Sequence, residues 1–517
     1  MPPTAPDLVL RGGRVVLDPA EAHDPPRRDL TLSAGRISAV EDPAGPRPVA
    51  EAAEAGGARV IDCAERLVVP GFVNAHYHSY DVLAKGLFED LPFDLWALLS
   101  QPAYWGRRSA AELRLRTLVG AIDCLRHGVT CVQDMNSLVP QDEDTLDAIL
   151  SAYAELGIRV VFSCAVRDVA ALDIAPFLDA GAPAEVAAIV AGAPGDADLD
   201  LDFVAAQLAR RPAGGTLHWA LSPSGPQRCS TRLLEGIGAL SAAHGLPVTT
   251  HVYETRAQLA KARAAYPEHG GSLIRLMQAT GLLTPRTHIA HSVWITRREI
   301  DLLAEAGTGV IHNPAANLKL KNGVAPLRDL REAGVNIGLG CDNCSCSDTQ
   351  NIFQAMKLFT LLAAGSDPMP GGPSAADALR AATEGGARAV GLGDQIGRIA
   401  PRMRADLVLL DLTDIAYQPL NSAVRQLVYA EAGRGVRSVI VEGRVVLDEG
   451  RLTGIDEAAL RAELAEAMQA VRRDYAALHA RQAPAFPWLL DATRRLADTD
   501  LGMSRFIRRP APEESPP

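Results

Sequence analysis

What the sequence has little of narrows its class before any motif is read. Only 5% of its 517 residues are aromatic and 22% are charged, while 48% are hydrophobic. Those proportions exclude a disordered or fibrous chain and allow one or two large domains with a substantial core. Basic charge is also short: 51 Lys and Arg stand against 62 Asp and Glu, a formal net charge of -11. Phosphate backbones are gripped by clustered cations, so no nucleic-acid partner is expected and a small molecule is. Cysteine is sparse, with eight residues at 63, 124, 131, 164, 229, 341, 344 and 346, too scattered for a disulfide scaffold. No apolar run reaches the ~18 to 20 residues of a membrane span, and the opening "MPPTAPDLVL" has no basic segment followed by an apolar one. The expectation is a cytoplasmic protein without a membrane partner.

What is present falls into three stretches. "LVLRGGRVVLD", "DLTLSAGRISAVED" and "RVIDCAERLVVP" place apolar residues between Gly and Asp turns, which predicts short strands. The far end echoes them. "VIVEGRVVLDEGR" at 439 to 451 repeats the GRVVLD of residues 13 to 18, and "ADLVLLDL" at 405 to 412 adds a further strand. Residues 1–68 and 400–455 are therefore expected to meet in one small β-domain. Between them, from 69 to 399, apolar runs alternate with helical patterns. The runs are "LVVPGFVNAHYH", "GVTCVQDM", "IRVVFSCAV", "TLHWALSPS", "PVTTHVYE", "THIAHSV", "TGVIHNP" and "VNIGLGCD". Separators such as "STRLLEGIGALSAAHG" and "ITRREIDLLAEAG" carry apolar residues at helical spacing and close on Gly. Eight such repeats predict an α/β fold, a (β/α)8 TIM barrel whose site lies at the C-terminal ends of its strands. Residues 456–517 are expected to add a helical extension, and "EDPAGPRPVAEAAEAGG" and "RRPAPEESPP" a loop and a frayed end.

Chemistry-bearing side chains collect at those strand ends. His76 and His78 end the first, His251 and Glu254 the fifth, His291 the sixth, His312 the seventh and Asp342 the eighth, so five of only 12 histidines point to one mouth. Residues i and i+2 of a strand share a face, so His76 and His78 leave it side by side, as a metal grip needs. Three neutral imidazoles and a carboxylate suit a catalytic zinc, although Fe(II), Mn and Co accept the same donors. Glu254 is placed to shuttle protons, His291 to hydrogen-bond the nucleophile or a developing oxyanion, and Asp342 to ligate the metal and accept a proton from water. "CDNCSC" has CxxC spacing but no second paired Cys motif, so it is read as a loop on the pocket wall and not as a separate zinc site.

"PGFVNAHYHS", "HVYE", "AHSVW", "HNPAANLKLKNGVAPLRDLREAGVNIGLGCDN" and "ADLVLLDL...VIVEGRVV" together resemble the amidohydrolase superfamily, in its aminohydrolase and triazine-hydrolase branch. That branch includes guanine, cytosine and adenosine-type deaminases and chlorotriazine hydrolases. The resemblance covers residues 7 to about 455. It implies a distorted barrel with a β-sandwich built from both chain ends, and a single divalent metal, zinc before iron, held by residues matching His76, His78, His251 and Asp342. Residues matching Glu254 and His291 handle protons and orient water. No carboxylated lysine is expected at "HWALSPSG", which disfavours a binuclear centre.

The reaction expected is hydrolytic deamination of an aminated nitrogen heterocycle: a purine, pyrimidine, pterin or triazine. The rivals are loss of chloride or alkylamine, opening of a cyclic amide, and a non-catalytic ligand-binding barrel. Phe88, Phe93, Trp96, Tyr104 and Trp105 in the loop after the first strand are candidates to stack on a flat ring, Arg167 to meet an anionic or carbonyl group, and His312 to touch substrate. A homo-oligomer is expected.

Overall fold

The computed structural model describes residues 7–43, 57–169, 182–191, 195–367 and 369–506. Most of the loop read at 41–57, and all of "RRPAPEESPP", lie outside the described residues. Eight parallel strands follow one another with helices between them. They are β1 (Phe72–His78), β2 (Val129–Asn136), β3 (Arg159–Val166), β4 (Leu217–Trp219), β5 (Val248–Val252), β6 (Thr287–His291), β7 (Gly309–His312) and β8 (Ile337–Leu339). Strands β1 to β4 pair in sequence order, as do β5 to β8. A parallel bridge from Leu221 to Val248 links the two sheets on one side. On the other, Asp342–Asn343 pairs with the end of β1. All seven residues of β1 are buried, as expected of a strand covered on both faces.

Two runs expected as single strands break in the structure. "TLHWALSPS" gives β4 and then Ser222–Pro223, and "VNIGLGCD" gives β8 and then Asp342–Asn343. The second break is where the chain changes partner: Gly340 N donates to His312 O at 3.0 Å, and Cys341 N to Asn74 Oδ1 at 2.9 Å. A Cβ at Gly340 would overlap Asn313 Oδ1 and lie 2.8 Å from His76 Cβ, so only glycine lets Asp342 arrive beside the first histidine.

The helices start and stop where the sequence marks them. Ser230 caps Thr231–His244 and Gly245 ends it at φ 66°, while Thr296 and Glu299 form a capping box before Arg297–Ala306, which Gly307 ends at φ 69°. The long tail helix Glu457–Gln482 starts at Asp456, and its Leu478 shares a buried cluster with Phe88, Trp96 and Leu489. The tail thereby covers the segment after β1. Among the described residues no helix is long and apolar enough to cross a membrane.

Both chain ends enter one mixed nine-stranded sheet. Its order is 451–452, 444–448, 436–441, 407–411, 66–70, 8–15, 27–33 and 36–41, with 59–62 pairing 8–15. The two GRVVLD copies thus contribute to one sheet, with three strands between them. Arg159, at the start of β3, locks that sheet to the parallel strands. Its Nε and Nη2 meet the two carboxylate oxygens of Asp406 at 3.0 and 2.9 Å, and Nη2 also meets Glu442 at 2.6 Å.

Candidate metal centre

Parallel strands deliver side chains to one rim only if their last residues turn inward, and here the backbone is bent to do so. Tyr253, His291, Ser292 and Asp342 all have positive φ, at 52°, 72°, 49° and 63°. Left-handed backbone is unfavourable for residues with a Cβ, so four such positions around one site mark strain held in place by the surrounding fold.

The tautomers of two rings are fixed by their partners. His78 Nδ1 is 2.6 Å from Met135 O and His251 Nδ1 is 2.7 Å from Ser224 O. A carbonyl only accepts, so both Nδ1 atoms carry hydrogen, and a neutral ring then has a bare lone pair on Nε2. These Nε2 atoms stand 3.4 Å apart, and His76 Nε2 is 3.2 Å from His78 Nε2. Asp342 Oδ1 lies 3.5 Å from His76 Nε2 and 3.4 Å from His78 Nε2. Converging lone pairs and a carboxylate repel one another unless a cation lies between them. A tetrahedral ion with bonds of about 2.0 to 2.1 Å requires donor separations of about 3.3 to 3.4 Å. These four spacings suit a zinc-sized metal, and the groups whose donor atoms converge are His76, His251 and His291, then His76, His78 and Asp342, then Glu254, His291 and Asp342. His291 stands slightly back, its Nε2 3.7 Å from Asp342 Oδ2 and 3.8 Å from Glu254 Oε1.

Electrostatics separate His78 from the other three rings. Burial, reinforced by the neighbouring rings, holds His76 and His251 well below the ordinary imidazole range, so both are neutral, as ligands must be. Burial also opposes charge on His78, but the Asp342 carboxylate outweighs it and raises the His78 pKa. Burial alone would raise Asp342. The His78 hydrogen bond and the adjoining rings instead keep it far below the carboxylate range. His291 is lowered by burial, and its Nδ1 donates to Asn317 Oδ1 at 2.8 Å, which leaves Nε2 facing the pocket. Glu254 is 2% exposed and its Oε1 accepts from Asn322 Nδ2 at 3.1 Å.

A pocket opens over these residues. Phe93 and Trp96 line it with their rings tilted 48° to one another, Arg228 lies over the Phe93 ring, and Arg167 stands beside them. Trp96 is fixed by its Nε1 donating to Ser345 Oγ at 2.7 Å. Other stacking candidates lie elsewhere. Phe88 packs on Tyr475 with ring centroids 5.6 Å apart, Tyr104 is off the pocket wall, and Trp105 lies under the Arg108 guanidinium in a neighbouring cavity. The tail helix draws these aromatics outward. His312 is fully buried with its ring 6.1 Å from Phe359, facing helix Ile352–Ser366 and not the pocket; burial pushes its pKa down to about 3. Arg228, Asn317 and Asn322 were not singled out from the sequence. Their signal was present in "SPSGPQRCS" and "HNPAANLKLKN", polar loops directly after β4 and β7. Among the described residues, none of the His, Cys, Asp and Glu groups that could share a metal includes a cysteine.

Comparison with known proteins places this geometry. A family model described as Amidohydrolase family matches residues 67–446. A 5-methylthioadenosine/S-adenosylhomocysteine deaminase of Thermococcus kodakarensis is 30% identical over 444 residues, 85% of this chain and 94% of that protein. A 5'-deoxyadenosine deaminase of Methanothermobacter thermautotrophicus is 32% identical over 427 residues, 80% of this chain and 88% of that protein. Among solved structures, a zinc-bound adenosine deaminase from Xanthomonas campestris matches with a TM-score of 0.77 and 28% identity, covering 91% of this chain and 100% of that one. A zinc complex of atrazine chlorohydrolase from Arthrobacter aurescens matches at 0.76 with 22% identity over 89% of this chain and 100% of that one, a likeness of fold.

Proposed function

The chain belongs to the amidohydrolase family, and from that premise we propose that it is a metal-dependent aminohydrolase that removes an exocyclic amine from a nitrogen heterocycle. An adenine nucleoside is the first candidate, because the relatives that cover most of this chain are named as deaminases of such compounds. The observation that carries the reading is the set of bare imidazole lone pairs and a carboxylate converging at 3.2 to 3.5 Å, with a second carboxylate and a fourth imidazole directly behind them. On this reading His76, His78, His251 and Asp342 hold one divalent ion, zinc before iron. The two parallel sheets form a distorted (β/α)8 barrel over 69–399, and the nine-stranded sheet curls into a sandwich from 1–68 and 400–455.

A bound metal of this kind lowers the pKa of a ligated water toward about 7. The chain's own residues do the rest. The Phe93 and Trp96 rings hold a flat heterocycle against the mouth, so that the amine-bearing carbon faces Asp342 and His291. Asp342 accepts a proton from water as its oxygen attacks that carbon. Glu254 places a proton on the adjacent ring nitrogen, and His291 Nε2 orients the attacking oxygen, its tautomer set by Asn317. The proton held by Asp342 then passes to the amine, which leaves as ammonia, and the remaining hydroxyl proton returns to Glu254 as the oxygen stays on the ring as a carbonyl. Ammonia, chloride and ring-opened product measured over a panel of adenine nucleosides, guanine, pterins and triazines test this directly. Ammonia from at least one aminated ring is expected, and chloride or ring opening without ammonia would overturn it.

A further inference from the structure

The family match ends at residue 446, and beyond it the chain returns to the site. From Leu496 to Phe506 it runs across the segments that follow β5, β6 and β7. Arg256, which opens helix Arg256–Ala265 just after Glu254, donates through Nε to Leu496 O at 3.0 Å and through Nη2 to Thr499 O. Arg263, on the same helix, donates through Nη1 to Leu501 O at 3.1 Å. Arg505 joins the other two segments: its Nη2 donates to Ile295 O at 2.6 Å, and its carbonyl accepts from Val324 N at 2.8 Å. A Cβ at Gly323, whose φ is 111°, would lie 2.8 Å from Arg505 O, so a glycine is what lets the two backbones approach.

The same segments carry the groups read as proton carriers. Trp294, just after His291, is fully buried and donates through Nε1 to Asn322 O at 2.8 Å. The Arg256 guanidinium covers its ring at 5.3 Å and the Phe506 ring meets it at 5.6 Å. Asn322 Nδ2 donates to Glu254 Oε1 at 3.1 Å and its backbone N–H to Asn317 O at 2.8 Å, while Asn317 Oδ1 accepts from His291 Nδ1. Direct contacts therefore lead from Arg505 and Phe506 through Trp294 and Asn322 to both Glu254 and His291. None of these contacts involves a residue of the proposed metal-ligand set.

Proton transfer needs the donor within hydrogen-bond reach of its target, and side chains beyond strand ends keep that geometry only where their loops are held. We propose that residues 496–506 are a strap that positions Glu254 and His291 for proton transfer, with Arg505 as its principal positioning residue. The strap rests on the contacts alone; its effect on turnover rests on the deaminase reading.

In full-length, metal-loaded Arg505→Ala, kcat for ammonia release is expected to fall about ten- to a hundred-fold while KM stays within about twofold and metal content is unchanged. Arg505→Lys keeps one donor for Ile295 O and should recover part of the loss. Phe506 is 45% exposed, so Phe506→Ala reads the same strap without opening the core, and kcat should fall in the same direction by less. Hydrogen exchange followed by mass spectrometry reads the strap without catalysis: peptides covering 292–298 and 317–326 should exchange about ten-fold faster in Arg505→Ala. Unchanged exchange overturns the strap. Faster exchange with unchanged kcat, or with metal lost, overturns the positioning role. If wild type turns over no aminated ring, the deaminase reading has failed, and the exchange measurement alone decides the strap.

Discussion

Glu254→Gln removes one proton site and little else. The carboxylate is buried 3.8 Å from His291 Nε2, and its Oε1 accepts from Asn322 at 3.1 Å. A glutamine amide oxygen keeps that bond. The backbone N–H of Glu254 donates to Gln258 Oε1 at 2.8 Å, so the segment is held independently of the substituted side chain. What disappears is the group proposed to carry a proton to the ring nitrogen. General acid–base catalysis of this kind contributes about 10² to 10⁴-fold, or about 3 to 5 kcal/mol of barrier. On the proposed ligand set, which leaves Glu254 out, metal content should stay unchanged while kcat falls. Steady-state ammonia release and metal analysis on the same preparation give both numbers. Turnover within about tenfold of wild type, or metal lost together with turnover, refutes the assigned separation of roles.

Two further outcomes concern stability. Asp406→Ala strips both oxygens from Arg159, which is fully buried and keeps only Glu442 as a charged partner; a loss of about 3 to 5 kcal/mol is expected as a lower denaturant midpoint, and an unchanged midpoint would contradict it. Burial would raise Asp123, but His127, Lys85 and the Gln350 N–H together pull its pKa down to about 2. A depressed carboxylate stabilises the fold above the ordinary value near 3.8, and that contribution disappears as pH falls toward 2. Acid titrations of stability in wild type and Asp123→Asn should differ by about 2 kcal/mol near neutrality and converge at low pH; parallel curves would argue against it.

Much of this site was legible because metal-ligand residue types and strand–helix alternation leave coarse marks. A two-residue histidine spacing at the end of an apolar run survives any error in element boundaries, and so do His251, His291 and Asp342 at the ends of later runs. The family resemblance then proposed which of them are ligands and which carry protons. What stayed hidden depends on packing across distant segments. Nothing local to "FEDLPFDLWALLSQPAYW" says that helix Glu457–Gln482 draws Phe88 and Trp105 away while Trp96 stays, held by Ser345. His312 ends its strand like the others, but its ring turns toward Phe359. The break at Gly340 is a partner exchange between β7 and β1, which periodicity cannot register. Arg228 looks like an ordinary charge in sequence and acquires meaning only once burial is known.

Metal content bears most directly on the central claim. Purified protein analysed for metal per chain, as wild type and as His78→Ala, should give one equivalent of zinc or iron in the first and a large loss in the second, with chelation abolishing turnover and added zinc restoring it. Full turnover by metal-free protein, or one tightly held equivalent that is indifferent to His78→Ala, would contradict the account.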